Sequence, residues 1–478
     1  MPVHHGDGRR EADIGPRFSD GSRDRNRLSN VIRWSKDALK TPRASPPLPI
    51  VGWPSPFIGW AWVSVLLLAY TSSFIDRQIL SLLVDPIKAD LGLSDTQFSL
   101  IGGMAFAIFY STVGMPLGAL VDRYPRRLVA STGLAFWSTA TMFCGLSGSY
   151  VQLLTARTCV AVGEASLAPS AGSLLADCFP PARLSRPISV YMLGAAIGAG
   201  LALILGGAII TLVASHPPIV APHFGELRPW QTVFILVGLL GLPVFGLMWL
   251  LPEPARRESH AAGYTPDWRE AFAFVRGQSG LLLPFLAGAA CCGMVSQALM
   301  GWGPAYYMRS FDLDAGKVGT YVGIATILGI GSGLLGGAWL AERLISRGRR
   351  DGHLIASAIG IGLGASGSIS AILAPDPLSS MILLGIAMCG NAMPTGIGIA
   401  YLQTVTPNRL RGRITAIYFG IVNIVGASFG PLLPALLADY IFRDEARIGA
   451  AVAIIAGLFG AIGVPLFLRA ARVFQRSI

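Results

Sequence analysis

Charge is the scarcest ingredient of this chain. Asp, Glu, Lys and Arg make up 13% of its 478 residues, against about 25% in an average soluble domain. With 53% hydrophobic residues and a mean hydropathy of +0.58, a water-soluble fold is excluded, since no core of this length needs so much apolar surface. Cysteine is sparse too. Cys144, Cys159, Cys178, Cys291, Cys292 and Cys389 lie in or at the ends of apolar runs, without metal-ligand spacing, and read as small buried hydrophobes. The vicinal Cys291-Cys292 pair is poorly placed for a disulfide. No GxxxxGK[ST] phosphate loop occurs, which removes the usual machinery for ATP-driven work. HExxH, paired CxxC and nucleophile-elbow motifs are missing as well. The expectation is therefore a protein that is no enzyme and carries neither cofactor nor metal. No short apolar stretch with a cleavage site opens the chain, so its start is not read as a cleaved signal peptide. The net charge of +11 does not point to nucleic acid, because the basic residues cluster in short connections between apolar runs, where membrane topology demands them.

What the chain has is apolar runs long enough to cross a bilayer as helix, about 20 residues each. Twelve follow one another, at about 57–83, 96–121, 127–148, 151–176, 185–213, 230–251, 280–307, 317–345, 352–373, 378–404, 412–437 and 448–470. They are continuous rather than alternating, so helices and not barrel strands satisfy the backbone. The fold class expected is an all-α polytopic membrane protein whose twelve transmembrane helices form two pseudo-symmetric six-helix bundles. Internal duplication supports the two halves. The turn Gly118-Ala-Leu-Val-Asp122-Arg123-Tyr-Pro125-Arg126-Arg127 has a degraded copy at Gly337-Ala338-Trp-Leu-Ala-Glu342-Arg343, its acid 220 positions on. Likewise Pro181-Ala-Arg183-Leu recurs as Pro407-Asn-Arg409-Leu. The domain reading is a disordered tail over 1–54, a first bundle over 55–251, a linker over 252–279, a second bundle over 280–471 and a short end over 472–478. Arginines fill loops 2–3, 4–5, 6–7, 8–9 and 10–11, while the alternate loops are neutral or mixed; positive-inside then places both termini in the cytoplasm.

The informative residues are charges that lipid does not tolerate. Asp76 and Arg77 lie in span one; Arg157 and Glu164 lie in span four. Each costs roughly 2.5–3.5 kcal/mol at mid-bilayer on insertion scales. Arg157 and Glu164 are seven apart and share a helix face. Such groups either form an ion-pair network that fixes packing or mark a proton or substrate site. The second half holds neutral groups instead: Ser296, Gln297, Trp302, Tyr306, Asn391, Thr395, Tyr401, Tyr418 and Asn423. For any one of these interhelical packing is the plainer role. As a set, with Tyr110, the residues Gln297, Trp302, Asn391, Tyr418 and Asn423 are candidates for a cavity that suits an amphiphilic or weakly charged organic solute. Gly194, Gly198 and Gly200 in span five and Gly420, Gly426, Gly430 and Pro431 in span eleven are matched positions where close approach and bending are expected.

At Gly118, Asp122, Arg123, Arg126 and Arg127 the chain resembles the major facilitator superfamily, whose loop 2–3 signature is G-x-x-x-D-R-x-G-R-R; Pro125 stands where that family has Gly. Ile75-Asp76-Arg77, Arg157, Gly163-Glu164-Ala165-Ser166 and Pro180 through Arg186 are similar to the Spinster-like branch, including its bacterial members. The resemblance implies a secondary active, proton-coupled transporter that moves a small or amphiphilic solute, lysolipid-like substrates included, by alternating access in the inner membrane of a bacterium, as a monomer. It implies Asp76 and Glu164 as the protonation candidates, with Arg77 and Arg157 as their ion-pair partners or substrate-contacting cations. It further implies that Gly118, Asp122, Arg123, Arg126, Arg127, Glu342 and Arg343 form a cytoplasmic gate in which Asp122 docks at the start of span eleven, near Arg411-Gly412-Arg413, when that side is shut. A proton-independent uniporter and a non-transporting sensor or scaffold on the same fold are the alternatives.

Overall fold

The structure is a computed structural model that describes residues 53–180, 183–217, 220–221, 225–256 and 268–476. The tail expected over 1–54 falls outside these except for its last two residues, as do the middle of the linker and residues 477–478. Among the described residues, twelve helices are long and apolar enough to cross a membrane: Pro56–Leu82, Asp95–Arg123, Arg126–Gly145, Tyr150–Cys178, Arg186–Ala214, Pro229–Leu250, Ser279–Phe311, Ala315–Ser346, Gly352–Leu373, Pro377–Val405, Arg411–Phe442 and Glu445–Arg476. They are called spans one to twelve below.

The starts follow from local chemistry. The Ser94 hydroxyl accepts from the Gln97 backbone N–H while the Gln97 side chain accepts from the Ser94 N–H, a reciprocal cap that satisfies two orphan donors at the head of span two. Ser149, Asp314 and Asp376 cap spans four, eight and ten in the same sense. Spans seven, eleven and twelve run up to six residues past the apolar runs that announce them, because Arg309, Asp439 and Arg472 sit on helix turns beyond the apolar stretch. Two features carry no hydropathy signal: the short helix Val84–Leu91 between spans one and two, and the helix Trp268–Gly277 inside the linker.

Packing repeats between the halves. Span one lies along five, three along six and two along four; in the second half seven lies along eleven, nine along twelve and eight along ten. The halves meet where two packs on eleven and five on eight, pairs that exchange under the same pseudo-twofold. At the five–eight seam glycines let backbone meet backbone, with Ile204 and Ile327 seated against Gly323 and Gly200. A Cβ at Gly207 would stand 2.5 Å from the Ala315 carbonyl oxygen, and one at Gly323 2.6 Å from that of Gly200, so any side chain there would part the helices. Spans two and eleven each contain a widened π-turn, at Leu100–Ala105 and Val422–Ala427, a local defect frequent at functional sites. The matched glycines divide: Gly194 and Gly198 admit span one, Gly426 and Gly430 admit span seven, and Gly420 faces open space.

Candidate functional site

Spans three and four cross closely because Gly133 and Gly163 have no side chain; a Cβ at Gly163 would lie 2.8 Å from the Trp137 nitrogen. The helix of span four is interrupted at Ala165–Ser166, directly after Glu164, and the Ser166 hydroxyl donates back to the Gly163 carbonyl at 2.8 Å. This crossing presses Arg157 and Glu164 against span one. There the four intramembrane charges form two pairs. Arg77 donates to Glu164 Oε2 through Nε at 2.7 Å and reaches it with Nη2 at 2.6 Å, while the Ser73 hydroxyl donates to the same oxygen at 2.7 Å. Arg157 Nη1 donates to the Asp76 backbone carbonyl at 3.2 Å and stands 3.7 Å from Asp76 Oδ1. Asp76 Oδ2 accepts from the Thr141 hydroxyl.

Asp76, Arg157 and Glu164 are buried, so each needs its partner; breaking a buried pair costs about 3–5 kcal/mol. Yet each carboxylate keeps one buried oxygen, Asp76 Oδ1 and Glu164 Oε1, with no hydrogen-bond partner among the described residues. Arg77 differs from the other three. Its side chain is 22% exposed, and its guanidinium lies 4.7 Å from the ring centroids of both Phe106 and Tyr110 and 5.2 Å from that of Phe74. One edge meets Glu164 and the other faces a central cavity of about 250 Å³ between the halves.

Arg77 is the one charged residue among those lining this cavity. Tyr110, Gln297, Trp302, Asn391, Tyr418 and Asn423, proposed from sequence as cavity residues, all lie on its wall, with Ser296 and Thr395. Tyr306 and Tyr401 do not. The Tyr306 hydroxyl donates to the Ile372 carbonyl at 3.0 Å, and Tyr401 packs on Phe285 and Phe474 in the core of the second half. Phe74, Gln78, Phe98 and Phe106 line the cavity unannounced, because an aromatic or amide in an apolar run looks the same whether it faces a neighbour or a void.

The duplicated turn is held from its own half. Arg126, buried, donates to Glu253 at 3.3 Å and to the Pro254 carbonyl at 2.6 Å, and pairs with Asp177 of span four. Arg127 donates to the Leu251 carbonyl at 2.9 Å and stacks on Trp249. Arg256 closes the end of span two, donating to the carbonyls of Val121 and Tyr124 at 2.7 Å and to that of Asp122. The Asp122 side chain and Arg123 are exposed, and Gly118 faces open space. Glu342 and Arg343 are also exposed, with Arg343 over Trp339. Asp122 is therefore not docked on span eleven here: span two packs on span eleven through 422–442, while the start of span eleven over 411–421 has no comparable packing on span two.

The opposite end is shut by groups that sequence reasoning passed over as a mixed loop. Arg309 of span seven donates to Asp85 at 2.6 and 2.9 Å and to Asp95 at 3.0 and 3.1 Å, both in the first half. Lys88 pairs with Asp95 and reaches Glu445 of the second half at 2.6 Å. Asp439 accepts the Thr96 backbone N–H at 2.7 Å. A signal for these existed: opposite charges flanking the same ends of spans one, two, seven and eleven.

The major facilitator superfamily profile matches residues 66–431. An MFS-type efflux pump of Mycolicibacterium smegmatis is 29% identical over 430 residues, covering 88% of this chain and 94% of that protein. Protein spinster of Drosophila melanogaster is 25% identical over 301 residues, covering 60% of this chain and 46% of the fly protein. Among solved structures, a bacterial homolog to the human lysosomal transporter Spinster, in an inward-facing and unoccupied conformation, superposes with a TM-score of 0.75 at 24% identity, covering 88% of this chain and 98% of that one.

Proposed function

Because the chain belongs to the major facilitator superfamily, whose members are membrane transporters and not enzymes, we propose that it is a secondary active transporter coupling proton movement to that of a small amphiphilic organic solute. The observation that carries this reading is the double engagement of Arg77. The one charge on the cavity wall among the described residues is also the ion-pair partner of Glu164 in the protein interior. A proton arriving on the vacant Glu164 Oε1 weakens that pair and frees the guanidinium for the solute. An acidic group of the solute at Arg77 loosens Glu164 in turn. Asp76 and Arg157, with their own vacant oxygen and longer contact, form the second proton relay on the same helix crossing. Aromatic and neutral polar groups on the remaining wall take the apolar body of the solute, lysolipid-like molecules among the candidates.

Under this reading the arginine-rich end, carrying both described chain ends and the parted spans two and eleven, faces the cytoplasm of a bacterium across its inner membrane. Asp122, Arg123, Arg126 and Arg127, with Glu342 and Arg343, are the gate on that side, closing when Asp122 meets the positive end of span eleven. Movement of one charge across 100 mV supplies about 2.3 kcal/mol, enough for roughly fiftyfold accumulation. The test is Glu164→Gln in proteoliposomes, with folding checked by thermal unfolding. Flux driven by a pH gradient is abolished while the protein stays folded; undiminished flux removes Glu164 from the mechanism. Solutes are found by thermal-shift screening of lysolipids, fatty acids and organic acids, and a true ligand loses its shift in Arg77→Ala.

A further inference from the structure

The linker helix Trp268–Gly277 presents two unlike faces. Ala271, Phe274 and Val275 pack inward on the core of the second half, against the ends of spans seven and eleven. Trp268 and Phe272, one turn apart with rings 6.3 Å between centroids, point away and are 39% and 60% exposed. Arg269 and Arg276, on the same short helix, are exposed as well. Its one acid, Glu270, is already taken by Arg409 of loop 10–11 at 2.8 Å. Arg413, at the head of span eleven, lies 5.4 Å over the Trp268 ring. Two large aromatics left uncovered beside arginines, on a helix separated from span seven by a single residue, do not suit water. They match the composition of a helix that lies in the plane of a membrane surface.

We propose that this helix is a docking surface for anionic phospholipid, with Trp268 and Phe272 seated among the headgroups and Arg269 and Arg276 on the lipid phosphates. Charge complementarity selects the occupant: with Glu270 neutralised, the face offers only positive charge, and each arginine near an anionic surface favours association by roughly fivefold. The docking ties the lipid to the first turn of span eleven through Arg409 and Arg413, independently of what the central cavity carries.

The full chain is reconstituted in vesicles containing brominated phosphatidylglycerol or brominated phosphatidylcholine, and quenching of tryptophan emission is measured. The share of Trp268, one of ten tryptophans, is the difference between the unsubstituted protein and Trp268→Phe. Phosphatidylglycerol is expected to be preferred at Trp268 by about twentyfold. That preference falls toward unity in Arg269→Gln/Arg276→Gln and persists in Arg269→Lys/Arg276→Lys, which keeps the charge. Equal quenching by the two lipids, quenching by neither, or a preference that survives the glutamine pair would each overturn the proposal.

Discussion

A charge inside a bilayer has to be answered within a few ångströms, and the answer fixes what that residue can later do. Glu164 has a stacked arginine that reaches one of its oxygens through two nitrogens, and a serine hydroxyl; Asp76 has a threonine hydroxyl and an arginine 3.7 Å away. Lysine in place of Arg77 keeps the charge but gives up the planar fork and the stacking on Phe106 and Tyr110, contacts of about 0.5–2 kcal/mol. Arg77→Lys is expected to lower initial transport rates at least roughly tenfold with the protein still folded; normal rates would mean that charge alone suffices. Gly163→Ala drives a Cβ into Trp137, and overpacking of this kind costs about 1–3 kcal/mol, visible as a lower unfolding midpoint in detergent. The four charges were legible in the sequence because lipid-spanning segments rarely carry any. Their pairing was not. Spacing places Arg157 and Glu164 on one face, but it does not set the rotation of span one, and that rotation decides that Arg77 rather than Asp76 meets Glu164.

At the scale of helices, the apolar runs located all twelve spans, since the need to satisfy every backbone group in lipid leaves hydropathy little to compete with. What hydropathy hides is where helices outlast their apolar stretch, and the ion network at the closed end sits in those overhangs. Arg309→Gln removes the links to Asp85 and Asp95. A hydrogen bond to a charged group contributes about 1.5–3 kcal/mol, so the population open at that end is expected to rise roughly tenfold or more. Cysteine accessibility on that side measures it, and restoration by the swapped pair Asp85→Arg/Arg309→Asp would localise the effect. Asp314 caps span eight beside the five–eight seam, and the Lys317 backbone N–H, with its ammonium group, holds the carboxyl below its usual range. A depressed folded value means that stability is gained above the unfolded pKa, near 3.9, and lost as pH falls through the folded one. The difference in unfolding temperature between the native protein and Asp314→Ala should therefore be full at pH 7 and shrink as pH falls below the unfolded pKa. A gap that persists in acid would assign the cap's contribution to something other than its charge.

For the molecule as a whole, the duplicated turn gave away the two halves, while the state in which they stand was beyond the reach of any motif. Asp122 is exposed at the parted end, so under the proposed gate Asp122→Asn leaves this arrangement intact and weakens only the opposite one. Labelling of cysteines lining the parted end is expected to increase, and unchanged labelling would dissociate Asp122 from gating. The seam of Gly200, Gly207, Gly319 and Gly323 bears on this motion in another way. Main chain comes onto main chain there, and the side chains set closest against these four glycines are Ile204 on Gly323 and Ile327 on Gly200, so little has to disengage before the bundles turn. Such a joint acts as an axle, and about a fixed axle one mouth narrows by the same swing that widens the other. Leak-proof exchange then follows from the shape of the bearing itself, without a separate device to keep both doors from standing ajar together.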